Sequence, residues 1–197
     1  METLPLDLTA LLAIAAGLGW ASGIRLYATL FIVGLAGRLE WVALPEGLRV
    51  LEHPWVLMAA GLMLLVEFLA DKLPLVDSLW DAVHSFIRIP AGAALAAMVF
   101  GGQGVEWQTA MAIIGGGLAA GAHFAKAGTR AVVNLSPEPF SNLAASFAED
   151  SLVLLGVWLM FAYPWVLLTL LALFVALLLW LLPKLFRWLA RRRRVTG

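Results

Sequence analysis

The sequence predicts an all-α protein of the polytopic membrane class, a bundle of about six transmembrane helices. Of its 197 residues, 62% are hydrophobic and only 13% are charged, and the mean hydropathy is +0.93. A soluble domain carries about 25% charged residues, so this chain lacks the polar residues to cover a surface in water. A membrane-spanning helix needs roughly 20 mostly apolar residues. Stretches of suitable length and polarity occur near 8–36, 54–71, 82–101, 107–135, 140–162 and 163–183.

Composition and the N-terminal sequence exclude several other classes. The formal net charge is zero, so there is no general attraction to nucleic acid, and no nucleic-acid partner is expected. The chain has no cysteine, which excludes disulfides and thiolate metal sites. The apolar run 8–36 is too long for the core of a signal peptide, and no basic residue precedes it, so we expect it to remain as the first span.

The distribution of basic residues predicts the orientation. The tail 184–197 contains Lys184, Arg187 and four consecutive arginines at 191–194, which is typical of a cytoplasmic segment. Six spans then place the N-terminus in the cytoplasm as well and the 37–53 loop outside. The arginine run need be no more than a topology anchor with some attraction to anionic lipid.

Two stretches of the sequence resemble each other. With one inserted residue, 15–25 aligns with 119–130, and each region has a Gly-x-x-x-Gly step, at Gly19/Gly23 and at Gly117/Gly121. Such steps let membrane helices approach closely.

A weaker match, between 68–71 and 147–150, makes the repeating unit three spans long. Two consecutive copies of a unit with an odd number of spans must cross the membrane in opposite directions. We therefore predict an inverted repeat of 1–101 and 107–183. A competing match of 54–57 with 164–167 would pair spans two and six, and chance similarity in an apolar sequence remains an alternative.

Charged residues inside the predicted spans are the main functional signal. A charge at the membrane centre costs about 2.5–3.5 kcal/mol on insertion scales, so such residues pair and face a bundle interior or a wet cavity. Under the inverted repeat, basic and acidic groups converge around a central site. The alternative is a set of buried ion pairs that only lock the bundle. The basic set is Arg25, Lys126 and Arg130, and the acidic set is Glu67, Asp71, Glu149 and Asp150.

The segment 71–88 is the most polar part of the core and precedes an apolar stretch too short to cross alone. Asp77, Asp81, His84 and Arg88 fall at helical spacing on one face of it. This face is expected to line a cytoplasmic vestibule, with His84 titrating near neutral pH. A solvated interfacial helix explains the same pattern.

The connection before the fifth span contains Ser136-Pro137-Glu138-Pro139, which cannot be regular helix because of its prolines. It is either a simple turn or a broken-helix element whose following helix N-terminus faces a ligand. In the second case Asn134, Glu138 and Asn142 are candidate binding residues.

Signals for an enzyme are thin, and we expect no catalytic residues, no metal and no cofactor. The zinc-protease, nucleophile-elbow and Walker motifs do not occur in the sequence. His84 beside Asp77, Asp81 and Ser85 is the only cluster with the residue types for acid–base or metal chemistry.

Several of these motifs are similar to those of a known family. The residues 23–27, 67–72, 77–81 and 136–142 resemble the bacterial membrane proteins grouped as domain-of-unknown-function family 4126, and the resemblance runs to about Pro183. It implies a multi-pass protein of the bacterial cytoplasmic (inner) membrane and implies no activity.

The predicted function is a small transporter or channel-like protein that moves a polar or charged solute, or a lipid headgroup, through a central site. The three basic residues would hold the anionic part of the substrate. The four acidic residues would bind a coupling cation or proton, or hold the basic groups until substrate arrives. The alternative is a scaffold whose charges pair with partner helices; a membrane enzyme using the His84 region is a third hypothesis. A homodimer is plausible through the glycine-rich faces.

Overall fold

The computed structural model describes residues 6–70, 74–133 and 139–193, without the side chains of 74–78, 81–82, 139, 142, 182 and 185–193. Every regular element within these ranges is helical, so the predicted all-α class is confirmed. The elements are α1 (Leu8–Arg38), a 3₁₀ helix (Glu46–Glu52), α2 (Pro54–Ala70), α3 (Pro74–Val99), α4 (Val105–Val133), α5 (Pro139–Ala162) and α6 (Pro164–Arg193).

The helix starts follow from local sequence. Asp7 caps α1 by accepting a hydrogen bond from the Ala10 N–H at 2.7 Å. Four of the remaining helices begin at a proline, whose fixed φ suits the first helical turn and whose missing N–H is not needed there. The amphipathic segment is not a separate element, because α3 runs unbroken from Pro74 through it into the apolar stretch.

Length and composition agree with a membrane protein. Among the described residues, three stretches are long and apolar enough to cross a membrane: Leu8–Arg38, Leu143–Ala162 and Pro164–Leu181. A fourth results if the 3₁₀ helix and α2, which meet at 67°, form one broken span. Large apolar side chains on α6, such as Leu173 and Trp180, are exposed, as expected for a lipid-facing helix. This count does not confirm six spans or an inverted repeat, and both stay predictions.

Helix α1 is central, and it is bent at Arg25. It packs against each of the other five α-helices and the 3₁₀ helix. The backbone of Arg25 is non-helical, with φ −143° and ψ 84°. Straight, its 31 residues would extend about 46 Å. Its two ends nevertheless lie beside one cavity, which is lined by Leu6 and Leu11 near the start of α1 and by Gly37 near its end.

Contacts with α5 show the direction of the bend. Before Arg25, an added Cβ at Gly17 would meet Met160, and Trp20 lies against Gly156. After Arg25, Ile32 lines a groove together with Leu154. Both halves of α1 therefore extend from Arg25 toward the C-terminal end of α5. The sequence analysis predicted 8–36 as the first span and did not foresee this bend, at which only Arg25 has non-helical backbone angles.

The Gly-x-x-x-Gly step of α1 forms a close helix contact with α4. A Cβ on Gly19 would lie 2.7 Å from the Cα of Gly115, and a Cβ on Gly23 would lie 2.9 Å from the Cα of Ala119. The predicted step on α4 does not take part: a Cβ on Gly117 would meet nothing within 4 Å. The two aligned segments also differ in shape, because α4 has no break matching that at Arg25.

Candidate functional site

Five charged side chains from three helices meet beside the bend in α1. We call them the central charge cluster: Arg25 from α1, Lys126 and Arg130 from α4, and Glu149 and Asp150 from α5. All five were candidates from the sequence. Lys126 and Arg130 are four residues apart, so both lie on the same face of α4, directed at α5 and the bend.

Glu149 is the common acceptor of this cluster. Arg130 donates to it through Nε at 2.7 Å and through Nη2 at 3.0 Å, the two-point geometry that a guanidinium and a carboxylate favour. The Lys126 ammonium lies 3.4 Å from Oε2 of Glu149, and Nη2 of Arg25 lies 3.6 Å from the same oxygen. One carboxylate is thus shared by three cations.

Arg25 is held by two turns of α5. Its side chain is 0% exposed, its Nε lies 3.1 Å from Oδ1 of Asp150, and its Nη2 donates to the Ser146 hydroxyl at 2.7 Å. The sequence interpretation missed Ser146. The signal was present, because Ser146 lies four residues before Asp150 and therefore on the same helix face.

Side chains also satisfy the backbone carbonyls at the bend. Lys126 Nζ donates to the Ile24 carbonyl at 3.3 Å, and the Thr29 hydroxyl donates to the Arg25 carbonyl at 2.8 Å. Irregular backbone at membrane depth is tolerated only where protein or water satisfies it. The charged cluster and the bend therefore depend on each other: Lys126 serves both the Ile24 carbonyl and the Glu149 carboxylate.

A second buried ion pair joins α2 to α3. Arg88 donates to Oε1 of Glu67 at 2.6 Å, and both side chains are 0% exposed. The sequence placed Glu67 with the acidic set of the central site, but within the described residues its ionic partner is Arg88. The predicted convergence of charges is thus divided between two places.

His84 lies near this pair in a defined hydrogen-bond network. Its Nδ1 lies 2.8 Å from the Trp80 carbonyl oxygen, which only accepts, so Nδ1 carries a proton. In the neutral ring Nε2 then accepts from the Tyr27 hydroxyl at 3.3 Å. The Trp80 ring stacks on the imidazole with 3.9 Å between centroids. Tyr27 and Trp80 were not among the sequence candidates, and only the fold brings Tyr27 to this helix.

A further contact, 2.6 Å between the Ser85 hydroxyl and Nε2 of His123, links α3 to α4.

The remaining sequence candidates lie outside the part of the chain whose side chains are described. Asp71, Asn134 and Glu138 lie outside the described residues, and Asp77, Asp81 and Asn142 lie on α3 and α5 with side chains that are not described. Within the described part of the chain, no group of three or more His, Asp or Glu side chains is arranged to hold a metal ion.

Two cavities adjoin these elements. One, of about 450 Å³, is an apolar groove between α2 and α5 with α1 behind it, and Asp150 lines it. The other, of about 910 Å³, lies beside both ends of α1, away from the bend, and its lining includes Glu40, Arg49 and Glu52 of the 37–53 loop. The central charge cluster thus has contact with the first cavity through Asp150.

Comparison with known proteins places the chain in a family. No curated protein and no solved structure matches it. The model of the family described as "Domain of unknown function (DUF4126)" matches residues 12–184, which include α2–α5, nearly all of α1, both ion-pair sites and most of α6. The chain therefore belongs to the DUF4126 family.

Proposed function

We propose that the protein is a small membrane transporter or channel-like protein, and that the central charge cluster is its binding site for an anionic group. The observation that carries the proposal is Arg25, fully buried at a break in the central helix, with its ionic partners Glu149 and Asp150 on α5. The proposal places the protein in the bacterial cytoplasmic membrane with its basic tail inside. It requires neither the six-span count nor the inverted repeat.

The arrangement supports exchange of one anion for another. Glu149 is held by three cations. An anionic substrate can replace it only if the substrate offers similar contacts, and protonation of Glu149 would remove the competing charge. The three basic groups would then bind substrate while Glu149 carries the coupling proton. Discontinuous helices that present backbone and charge at such sites are typical of transporters.

Stabilisation of the fold does not by itself explain why the protein buries the central charge cluster. Polar contacts between membrane helices contribute about 0.6 kcal/mol on average, whereas each buried charge costs several times more. The scaffold alternative expects these charges to face partner helices. Arg25, Lys126 and Arg130 instead each contact Glu149 of the same chain, which favours a site internal to the protein.

The test is a flux measurement on purified protein in liposomes. Wild-type protein should give anion-dependent currents on a solid-supported membrane when chloride, phosphate, sulfate and small carboxylates are offered in turn under a pH gradient. Arg130→Ala should abolish the current, because it removes the two-point contact to Glu149. Glu149→Gln should retain anion binding but lose the dependence on the pH gradient.

Matched controls separate transport from folding. Arg130→Lys keeps the charge and should retain partial current. Lys184→Ala removes an exposed charge outside the cluster and should leave the current unchanged. Each variant must elute as wild type does in size-exclusion chromatography. If folded Arg130→Ala and Arg25→Ala variants both carry wild-type currents, the proposal is wrong.

A further inference from the structure

The groove between α2 and α5 is open toward the side of the bundle. Helix α2 packs on α1, α3 and the 3₁₀ helix, and α5 packs on α1, α4 and α6. The two helices therefore flank a gap whose floor is the second half of α1, at Ala28 and Ile32. Its walls include Leu65 and Leu154, which are about half exposed. In a bilayer such an opening faces acyl chains.

The lining is apolar except at one point. Among the described residues that line the groove, Asp150 is the only charged one. Its side chain is 28% exposed, and its Oδ1 lies 3.1 Å from Arg25 Nε. The groove thus ends at the Asp150 carboxylate, at the edge of the central charge cluster, and Arg25 lies fully buried behind it. Its volume of about 450 Å³ falls within the range of about 300–1,000 Å³ for ligand pockets.

We propose that this groove binds a membrane phospholipid with an amino headgroup. The acyl chain lies along the second half of α1 and α2, and the headgroup ammonium donates to the exposed edge of Asp150. Charge complementarity selects this occupant, because the ammonium of its headgroup meets the Asp150 carboxylate, the only charged group among the described residues of an otherwise apolar lining. The inference rests on the proposed function and names the substrate class as an amphiphile that enters from the bilayer.

Native mass spectrometry of the full chain in detergent, titrated with single lipids, tests this inference. Phosphatidylethanolamine should bind about tenfold more tightly than phosphatidylglycerol of the same acyl chains, as expected for a hydrogen bond between charged groups. Asp150→Asn should lose this preference while retaining binding of both lipids. Leu65→Trp, which fills the groove, should weaken both lipids.

The control is Ile113→Trp, an equally bulky change at an exposed position of α4 outside the groove, which should bind lipid as wild type does. Equal affinity for the two lipids in wild-type protein would overturn the inference, as would unchanged binding by Leu65→Trp. Soluble phosphoethanolamine that competes fully would identify a free headgroup as the ligand. A dimer lost in Leu65→Trp without a change in lipid binding would identify a second copy of the chain.

The binding readout is independent of transport. If lipid selectivity is found but anion-dependent currents are absent, the proposed function fails and the lipid site remains. If currents depend on Arg130 while wild-type protein does not distinguish the lipids, the lipid site fails and the proposed function remains.

Discussion

Replacing Gly23 by alanine tests the close contact between α1 and α4. The added Cβ would meet the Ala119 carbonyl oxygen and would lie 2.9 Å from both the Cα and the carbonyl carbon of that residue. These are backbone atoms that cannot rotate away, and ordinary carbon contacts are about 3.5–4.0 Å. The two helices must therefore separate by roughly 1 Å.

The expected magnitude follows from two opposing terms. Overpacking of this kind costs about 1–3 kcal/mol, with larger values where backbone must move. Alanine in place of glycine returns up to about 1 kcal/mol of helix propensity. Gly23→Ala should therefore lower the free energy of unfolding by about 1–2 kcal/mol. The separation also draws the Ile24 carbonyl away from Lys126, so anion-dependent current should fall as well.

Gly117→Ala is the matched control on α4, because its Cβ would meet nothing within 4 Å. It should be neutral or slightly stabilising. Thermal unfolding in detergent, followed by fluorescence-detected size-exclusion chromatography, should show a midpoint several degrees lower for Gly23→Ala only, at about 2–4 °C per kcal/mol. Equal midpoints for Gly23→Ala and wild type would refute the packing argument, and so would a large loss in Gly117→Ala.

Two further predictions concern the bend and the second ion pair. Because α1 folds back, an impermeant maleimide should label Asp7→Cys and Glu46→Cys from the same side of membrane vesicles. It should label Lys184→Cys from the other side. The natural chain has no cysteine, so no other residue will react. Labelling of the first two from opposite sides would show that α1 crosses once. Arg88→Ala should destabilise the protein by about 3–5 kcal/mol in thermal or denaturant unfolding, because it leaves the Glu67 carboxylate buried without its ionic partner. The double change Arg88→Met, Glu67→Leu should cost much less, and equal losses in both proteins would count against a buried charge as the cause.

Local sequence was sufficient for several helix starts, but not for that of α3, which begins at Pro74 rather than near residue 82. Prolines at 54, 139 and 164 lie at predicted boundaries and are helix starts in the structure, because proline suits the first turn of a helix and little else in it. The apolar composition was sufficient to predict a membrane protein, because a chain with so few polar residues cannot cover its surface in water.

The candidate site could be predicted only as a set of residues. Burying a charge inside an apolar span is costly whichever partner it finds, so charged residues in such spans are candidates from the sequence alone. This criterion identified Arg25, Lys126, Arg130, Glu149 and Glu67. Which acid meets which base depends on helix positions, and the sequence could not show that Glu67 pairs with Arg88 rather than with the central charge cluster. The same limit applied to Tyr27, which reaches His84 from a different helix.

By itself, then, the sequence determined an all-α membrane protein, the helix starts at Pro54, Pro139 and Pro164, and the residues whose charge would be buried, because these depend on composition and on the chemistry of neighbouring residues. Only the tertiary structure decided the fold-back at Arg25 and the partner of the Gly19/Gly23 step. A residue leaves helical geometry inside an apolar run only when distant groups compensate for it. Here Lys126 and the α5 residues Ser146 and Asp150 do so, more than a hundred positions along the chain.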